Sequence, residues 1–123
     1  MLPKIASKRY AGLTCPHGLK FYFVDGMEIR RRCYGDFVLG GNGYRYPTFC
    51  SKKELWLEKT IDEKELPFIA FHECHETELM REGKSYAEAH ESAKRYEDSA
   101  RRHKGPILAF IKAFFTFPAK KLA

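Results

Sequence analysis

Ser85-Tyr86-Ala87-Glu88 is the segment that most constrains how this chain can fold. A Ser followed three residues later by Glu is a capping box, in which each side chain satisfies the other's backbone N–H, so a helix begins there. Just upstream, Gly83 supplies the left-handed residue that ends a preceding helix. A stop and a start so close together leave a short link, and the two helices must fold back on one another as a hairpin. The first is expected to be capped by Thr60 or Asp62 and to run through Phe71, His72, Glu76 and Met80. Pro67 belongs in its first turn, because proline cannot donate in a helix interior. The second helix ends near Lys104, where Gly105-Pro106 stops it.

Upstream of the hairpin the pattern changes. Leu19 to Val24 is aromatic and β-branched, and Asp25-Gly26 is a tight-turn signal leading into Met27 to Arg32, so the pair reads as a β-hairpin. Asp36 to Leu39 reads as another short extended piece. Gly40-Gly41-Asn42-Gly43 breaks any regular element, and Tyr44 to Pro47 reads as a loop or an edge. Glu54 to Glu58 alternates polar and apolar residues and predicts a last, half-buried strand. Downstream, Ile107 to Phe117 is apolar nearly all round but too short to span a bilayer. It predicts a helix that docks on the core or on a partner. The expected fold class is therefore α+β in a single domain over 1–123. It comprises an N-terminal arm (1–18), a small antiparallel sheet (19–58), a helical hairpin (61–104) and a C-terminal apolar helix (107–117).

Charge and cysteine usage narrow the partners. With 22 basic against 16 acidic residues the formal charge is +6, and the basic residues gather at Lys8-Arg9, Arg30-Arg31-Arg32, Lys52-Lys53, Arg101 to Lys104 and Lys120-Lys121. Most of these read as solvated faces; Arg30, Arg31 and Arg32 are the candidate contact to nucleic acid. Cysteines at 15, 33, 50 and 74 lack any Cys-x-x-Cys pair, and no secretory signal opens the chain. The expectation is a reducing, cytoplasmic setting with free thiols. Cys15-Pro16-His17 also holds two potential metal ligands, which more simply read as incidental neighbours.

The chemistry lies in His72-Glu73-Cys74-His75-Glu76. His72 and Glu76 are four residues apart and project from one helical face, where they can share an ion. Glu73 sits about 100° round the helix, beside such an ion and placed to act as a base. In the second helix His90 and Glu97 are two turns apart on one stripe. The hairpin can thus bring His72, Glu76, His90 and Glu97 together as ligands for zinc or another divalent first-row metal, with Glu97 a fourth ligand or a support. His75 falls off that line and reads as a surface or supporting residue, although a His72–His75 pair at i, i+3 can also chelate. Cys74 reads as a small buried residue. The competing reading is a buried hydrogen-bonded network joining two helices; burying carboxylates without a cation is costly, which favours the metal.

The ordered motifs also resemble a known pattern. Phe71-His72-Glu73-x-x-Glu76-x-x-Leu79-Met80-x-x-Gly83, then Tyr86-x-x-Ala89-His90-x-x-Ala93-x-x-x-Glu97, is similar to a family of small uncharacterised prokaryotic and phage proteins. The likeness extends upstream through Val24-Asp25-Gly26, Asp36-Phe37-Val38-x-Gly40-Gly41-Asn42 and Glu54-Leu55-Trp56-Leu57. It implies a prokaryotic or phage-infected cell and supplies no reaction. More distantly the helix resembles that of zincin metallopeptidases, with Glu76 where their common motif has a second His. That resemblance implies a zincin-like fold, a zinc-dependent peptidase-type hydrolase with Glu73 as general base, a peptide or protein substrate, and Glu54 to Glu58 as the edge strand that aligns it. The alternative is a metal-stabilised, non-catalytic module that binds nucleic acid or a protein, with 107–117 a possible partner-binding helix.

Overall fold

The structure, a computed structural model, describes residues 6–32, 34–48 and 50–116. Cys33, Phe117 and the Lys120-Lys121 pair lie outside the described residues. The elements in order are β1 (Ala6–Tyr10), β2 (Lys20–Val24), α1 (Gly26–Arg32), β3 (Gly40–Asn42), β4 (Glu54–Glu58), α2 (Leu66–Arg81), α3 (Tyr86–Arg102) and α4 (Ile107–Thr116). The class is α+β as expected, and no described helix is long and apolar enough to cross a membrane.

Besides taking in Ala6–Tyr10 of the expected N-terminal arm as β1, antiparallel to β2, the sheet departs from expectation in two further ways. Its order is β1-β2-β4-β3, and β2 pairs with β4 in parallel, so it is mixed and not antiparallel. The cause is α1, which replaces the second arm of the expected hairpin. Asp25 Oδ1 accepts from the backbone N–H groups of Met27 and Glu28, and so caps a helix in place of turning a hairpin. Glu28 in its first turn and Arg30 to Arg32 in its last complement the helix dipole, and Ile29 fastens it to the core. The chain then crosses over, re-enters the sheet at its edge as β3, and only afterwards runs beside β2 as β4, in the same direction.

The second departure is β3 itself. Gly40 to Asn42, read from sequence as a breaker, forms a strand antiparallel to β4, whereas Asp36 to Leu39 precedes it as loop. β4 is consequently interior, and among the described residues the edge on that side of the sheet is β3, not Glu54–Glu58. Nor is β4 half buried: Leu55, Trp56 and Leu57 are all within 1% of complete burial. Leu55 and Leu57 join Phe21 against Leu66, Ala70 and Cys74 of α2, while Trp56 joins Val24 on the opposite face against Ile29, Phe37 and Tyr46. With both faces covered, alternation along the strand carries no solvent side.

The helical hairpin forms as the local signals require. Ser85 and Glu88 make both bonds of the capping box, and Gly83 ends α2 with φ +103°. At the start of α2 the cap residue is Glu65, one turn later than expected, while the Asp62 carbonyl accepts from the N–H groups of Glu65 and Leu66. α4 docks on the core: Ile111 is buried with Phe71 and Ala100, and the rings of Phe110, Phe114 and Phe115 stand within 6.0 Å of the Phe71 ring, edge to face.

The free-thiol expectation is overturned for two cysteines. Cys15 and Cys74 form a disulfide with a Cα–Cα distance of 5.9 Å, tying the N-terminal arm to the middle of α2. His17 is fixed nearby with φ 63°, its Nδ1 2.8 Å from Glu78 on the next turn of the same helix. Cys15 and His17 are therefore occupied separately and form no ligand pair. Cys50 is a buried free thiol whose pKa is pushed up by burial.

Candidate metal centre

α2 runs through the centre of the molecule, and every residue from Ala70 to Thr77 is buried. A helix covered on all sides must sort its side chains by neighbour instead of by solvent. Ala70 and Cys74 meet the sheet, Phe71 meets α4, and His72, Glu73 and Glu76 fall toward the seam between β3 and α3. Across that seam α3 offers Ala89 and Ala93, both fully buried, whose small side chains let the helices approach closely enough for His90 and Glu97 to reach α2.

The result is a tight group of donors. His72 Nε2 lies 3.0 Å from Glu76 Oε2 and 3.3 Å from His90 Nδ1, and His90 Nδ1 lies 2.9 Å from the same Glu76 oxygen. A zinc tetrahedron with bonds of ~2.0–2.1 Å has edges of about 3.3–3.4 Å, so a small opening of this triangle accommodates such an ion. His72, Glu76 and His90 are accordingly a group able to hold a metal. Glu97 stands behind them. Its Oε1 accepts from His72 Nδ1 at 2.9 Å and its Oε2 from Arg101 Nε at 2.9 Å, and Arg101 also pairs with Glu65 at 3.0 Å. Glu97 therefore stands outside the donor triangle, on the far nitrogen of His72, where a carboxylate fixes an imidazole's tautomer and orientation. Arg101, expected on a solvated basic face, belongs to the same chain of contacts.

Electrostatics follow from this crowding. Burial opposes protonation of His72, but its hydrogen bonds to Glu76 and Glu97 outweigh that and raise its pKa to about 10. Burial likewise works against the Glu97 charge, yet the bonds from His72 and Arg101 hold its carboxyl below the ordinary range. Glu73 has no such partner. Its Oε1 is buried without a hydrogen bond, and burial followed by the Glu76 charge lifts its pKa to about 8. The carboxyl is pressed against β3, where a Cβ on Gly40 would lie 2.8 Å from Glu73 Cγ and 3.0 Å from the Trp56 carbonyl oxygen. Only glycine at position 40 leaves Glu73 its present place. His72, Glu73, Glu76, His90 and Glu97 all open onto one cleft of about 510 Å³, whose further walls include Gly40, Arg45 and Tyr86.

The structure separates His75 from this group. It is buried, not on the surface, and its ring lies among Phe71, Tyr96 and Phe114 with Nε2 3.0 Å from Ser92 Oγ. It does not form a chelating pair with His72. Arg30 bonds the Phe37 carbonyl at 3.0 Å, while Arg31 and Arg32 pair with Glu28 on their own helix. Gly40, Arg45 and Tyr86 are among the cleft residues that the sequence did not mark as part of a site. The Gly-Asn-Gly run held one usable signal, because Asn42 Oδ1 accepts from the N–H groups of Tyr44 and Arg45 and so aims Arg45 into the cleft. Comparison of the chain with protein-family models, with curated proteins and with solved structures gave no match.

Proposed function

We propose that the protein is a metal-dependent hydrolase of the peptidase type, with a zinc-type ion held by His72, Glu76 and His90 and with Glu73 as general base. The observation that carries this reading is the buried Oε1 of Glu73, without a hydrogen-bond partner among the described residues, beside a compact imidazole–carboxylate–imidazole triangle in an open cleft. A carboxyl without a hydrogen-bond partner costs stability, and such a cost is kept where a substrate or a water completes the site. A bound divalent ion would acidify water and polarise a carbonyl.

The chain's own residues would do the rest. Glu73 takes a proton from water as the water oxygen bonds to the carbonyl carbon, then gives that proton to the departing amine nitrogen as the C–N bond breaks. Glu97, Arg101 and Glu65 hold His72 in place throughout. The exposed Val38 and Leu39, which lead into the edge strand β3 beside Glu73, give an extended peptide a surface along which to lie.

A second reading rests on His72. Bracketed by Glu76 and Glu97 and held protonated, it can neutralise those carboxylates itself, making the group a structural network between helices. Elemental analysis of purified protein separates the two. The hydrolase reading expects one equivalent of zinc or a similar metal, retained in Glu73→Gln, with cleavage of a fluorogenic peptide library reduced at least ~100-fold in that variant. Protein that purifies without metal and takes up none on zinc titration leaves the structural network as the answer.

A further inference from the structure

The hydrolase reading leaves one requirement unmet by the residues assigned so far: a hydrogen-bond donor for the oxygen that gains negative charge when a carbonyl is attacked. Tyr86 occupies a place suited to it. It is the first residue of α3, directly after the capping Ser85 and one helical turn before His90. At that spacing its ring stacks on the His90 imidazole, with centroids 5.4 Å apart and planes 28° from parallel. The ring forms part of the cleft wall and is 38% exposed, among the few large apolar residues left open to solvent.

Its surroundings set the direction of the hydroxyl. The Arg45 guanidinium lies 4.5 Å from the Tyr86 ring centroid and also bears on Tyr46, while Asp36 pairs with the same guanidinium. Arg45 is the hydroxyl's hydrogen-bonding neighbour, and the carboxylates of Glu76 and Glu73, which line the same cleft, act on it through their charge. Stacked on His90 in the wall of the cleft that Glu73 and Glu76 also line, the phenol stands beside the place where a substrate would react. Arg45 beside it favours negative charge developing on a neighbouring oxygen.

We infer that Tyr86 is a further catalytic residue of the proposed hydrolase, its hydroxyl donating to the oxyanion that forms on the substrate carbonyl. The inference rests on the metal-hydrolase reading. Arg45 is a positioning residue that holds the phenol. The simpler role for Tyr86 is a cover over the half-exposed His90 ring, and Tyr86→Phe keeps that cover while removing only the hydroxyl.

The test needs no identified substrate. Zinc-loaded wild-type protein and Tyr86→Phe are titrated with acetohydroxamate, whose oxygens bind an accessible zinc ion and accept hydrogen bonds as a carbonyl oxyanion does. Zinc affinity of each protein is measured in parallel. The expected result is unchanged zinc affinity and acetohydroxamate binding weakened at least about tenfold, the loss of one hydrogen bond to a charged group. Equal acetohydroxamate affinity in the two proteins overturns the inference and leaves the hydrolase reading standing. Weakened zinc binding in Tyr86→Phe overturns it in favour of a structural hydroxyl. Zinc-loaded wild-type protein that binds no acetohydroxamate has no open position, and the hydrolase reading fails with the inference.

Discussion

Two histidines three residues apart on α2 have opposite fates. His72 faces α3 between two carboxylates, which raise its pKa to about 10 against the effect of burial. His75 faces the aromatic side, where burial lowers its pKa to about 4 and Ser92 is its hydrogen-bonding neighbour. Both are equally buried, at 8% exposure each. Burial alone therefore says nothing of what an imidazole does; the sign of its shift comes from whether anionic oxygens or ring carbons surround it. One helix thus carries an acidic, hydrogen-bonding side and an apolar, packing side, divided by a rotation of less than one turn.

Replacing each histidine in turn is the strongest way to break that division. His72→Ala should weaken zinc binding by more than the roughly 100-fold typical of losing a supporting residue. His75→Ala should leave zinc affinity unchanged and lower stability by about 1–3 kcal/mol through lost packing. Isothermal titration and denaturant unfolding measure the two effects; zinc affinity lost in His75→Ala would erase the distinction. A smaller effect sharpens the acidic side. Glu97→Gln keeps the shape but removes the charge behind His72, and should weaken zinc binding about 10–100-fold. Zinc binding abolished outright in that variant would move Glu97 into the donor set. The smallest effect concerns Gly40→Ala, whose methyl group must displace the Glu73 carboxyl. Unfolding should become easier by about 1–3 kcal/mol with zinc affinity intact, and unchanged stability would show that Glu73 yields freely.

The parts of this architecture legible in sequence were those specified by neighbours in the chain. Ser85 and Glu88, Gly83, and the 72/76 and 90/97 spacings each state their structure within one or two turns of helix. The parts misread were settled at long range. Gly40 to Asn42 has no intrinsic preference for a strand and becomes one because β4 offers it partners. Asp25-Gly26 serves a turn and a helix cap equally well, and Ile29 packing into the core decides between them. The pairing of Cys15 with Cys74 spans 59 residues, and no local pattern announces it. Within the site the same rule holds: Glu73 and His72 were legible, whereas Arg45 and Tyr86 enter the cleft only because β3 and α3 converge there.

The bond between Cys15 and Cys74 closes the chain into a covalent ring that contains β2, α1, β3, β4 and α2 as far as His72 and Glu73. Glu76 and the whole of α3 lie outside it. A break in the exposed stretch at Val38 and Leu39 therefore leaves one molecule, its two pieces still joined and the base still tethered to its strand. A break in the link between Gly83 and Ser85 instead frees the segment bearing His90, Tyr86 and Glu97. The donor triangle is assembled from both sides of this boundary, one corner inside the ring and two beyond it, so an intact link between the helices is what makes the site a single unit.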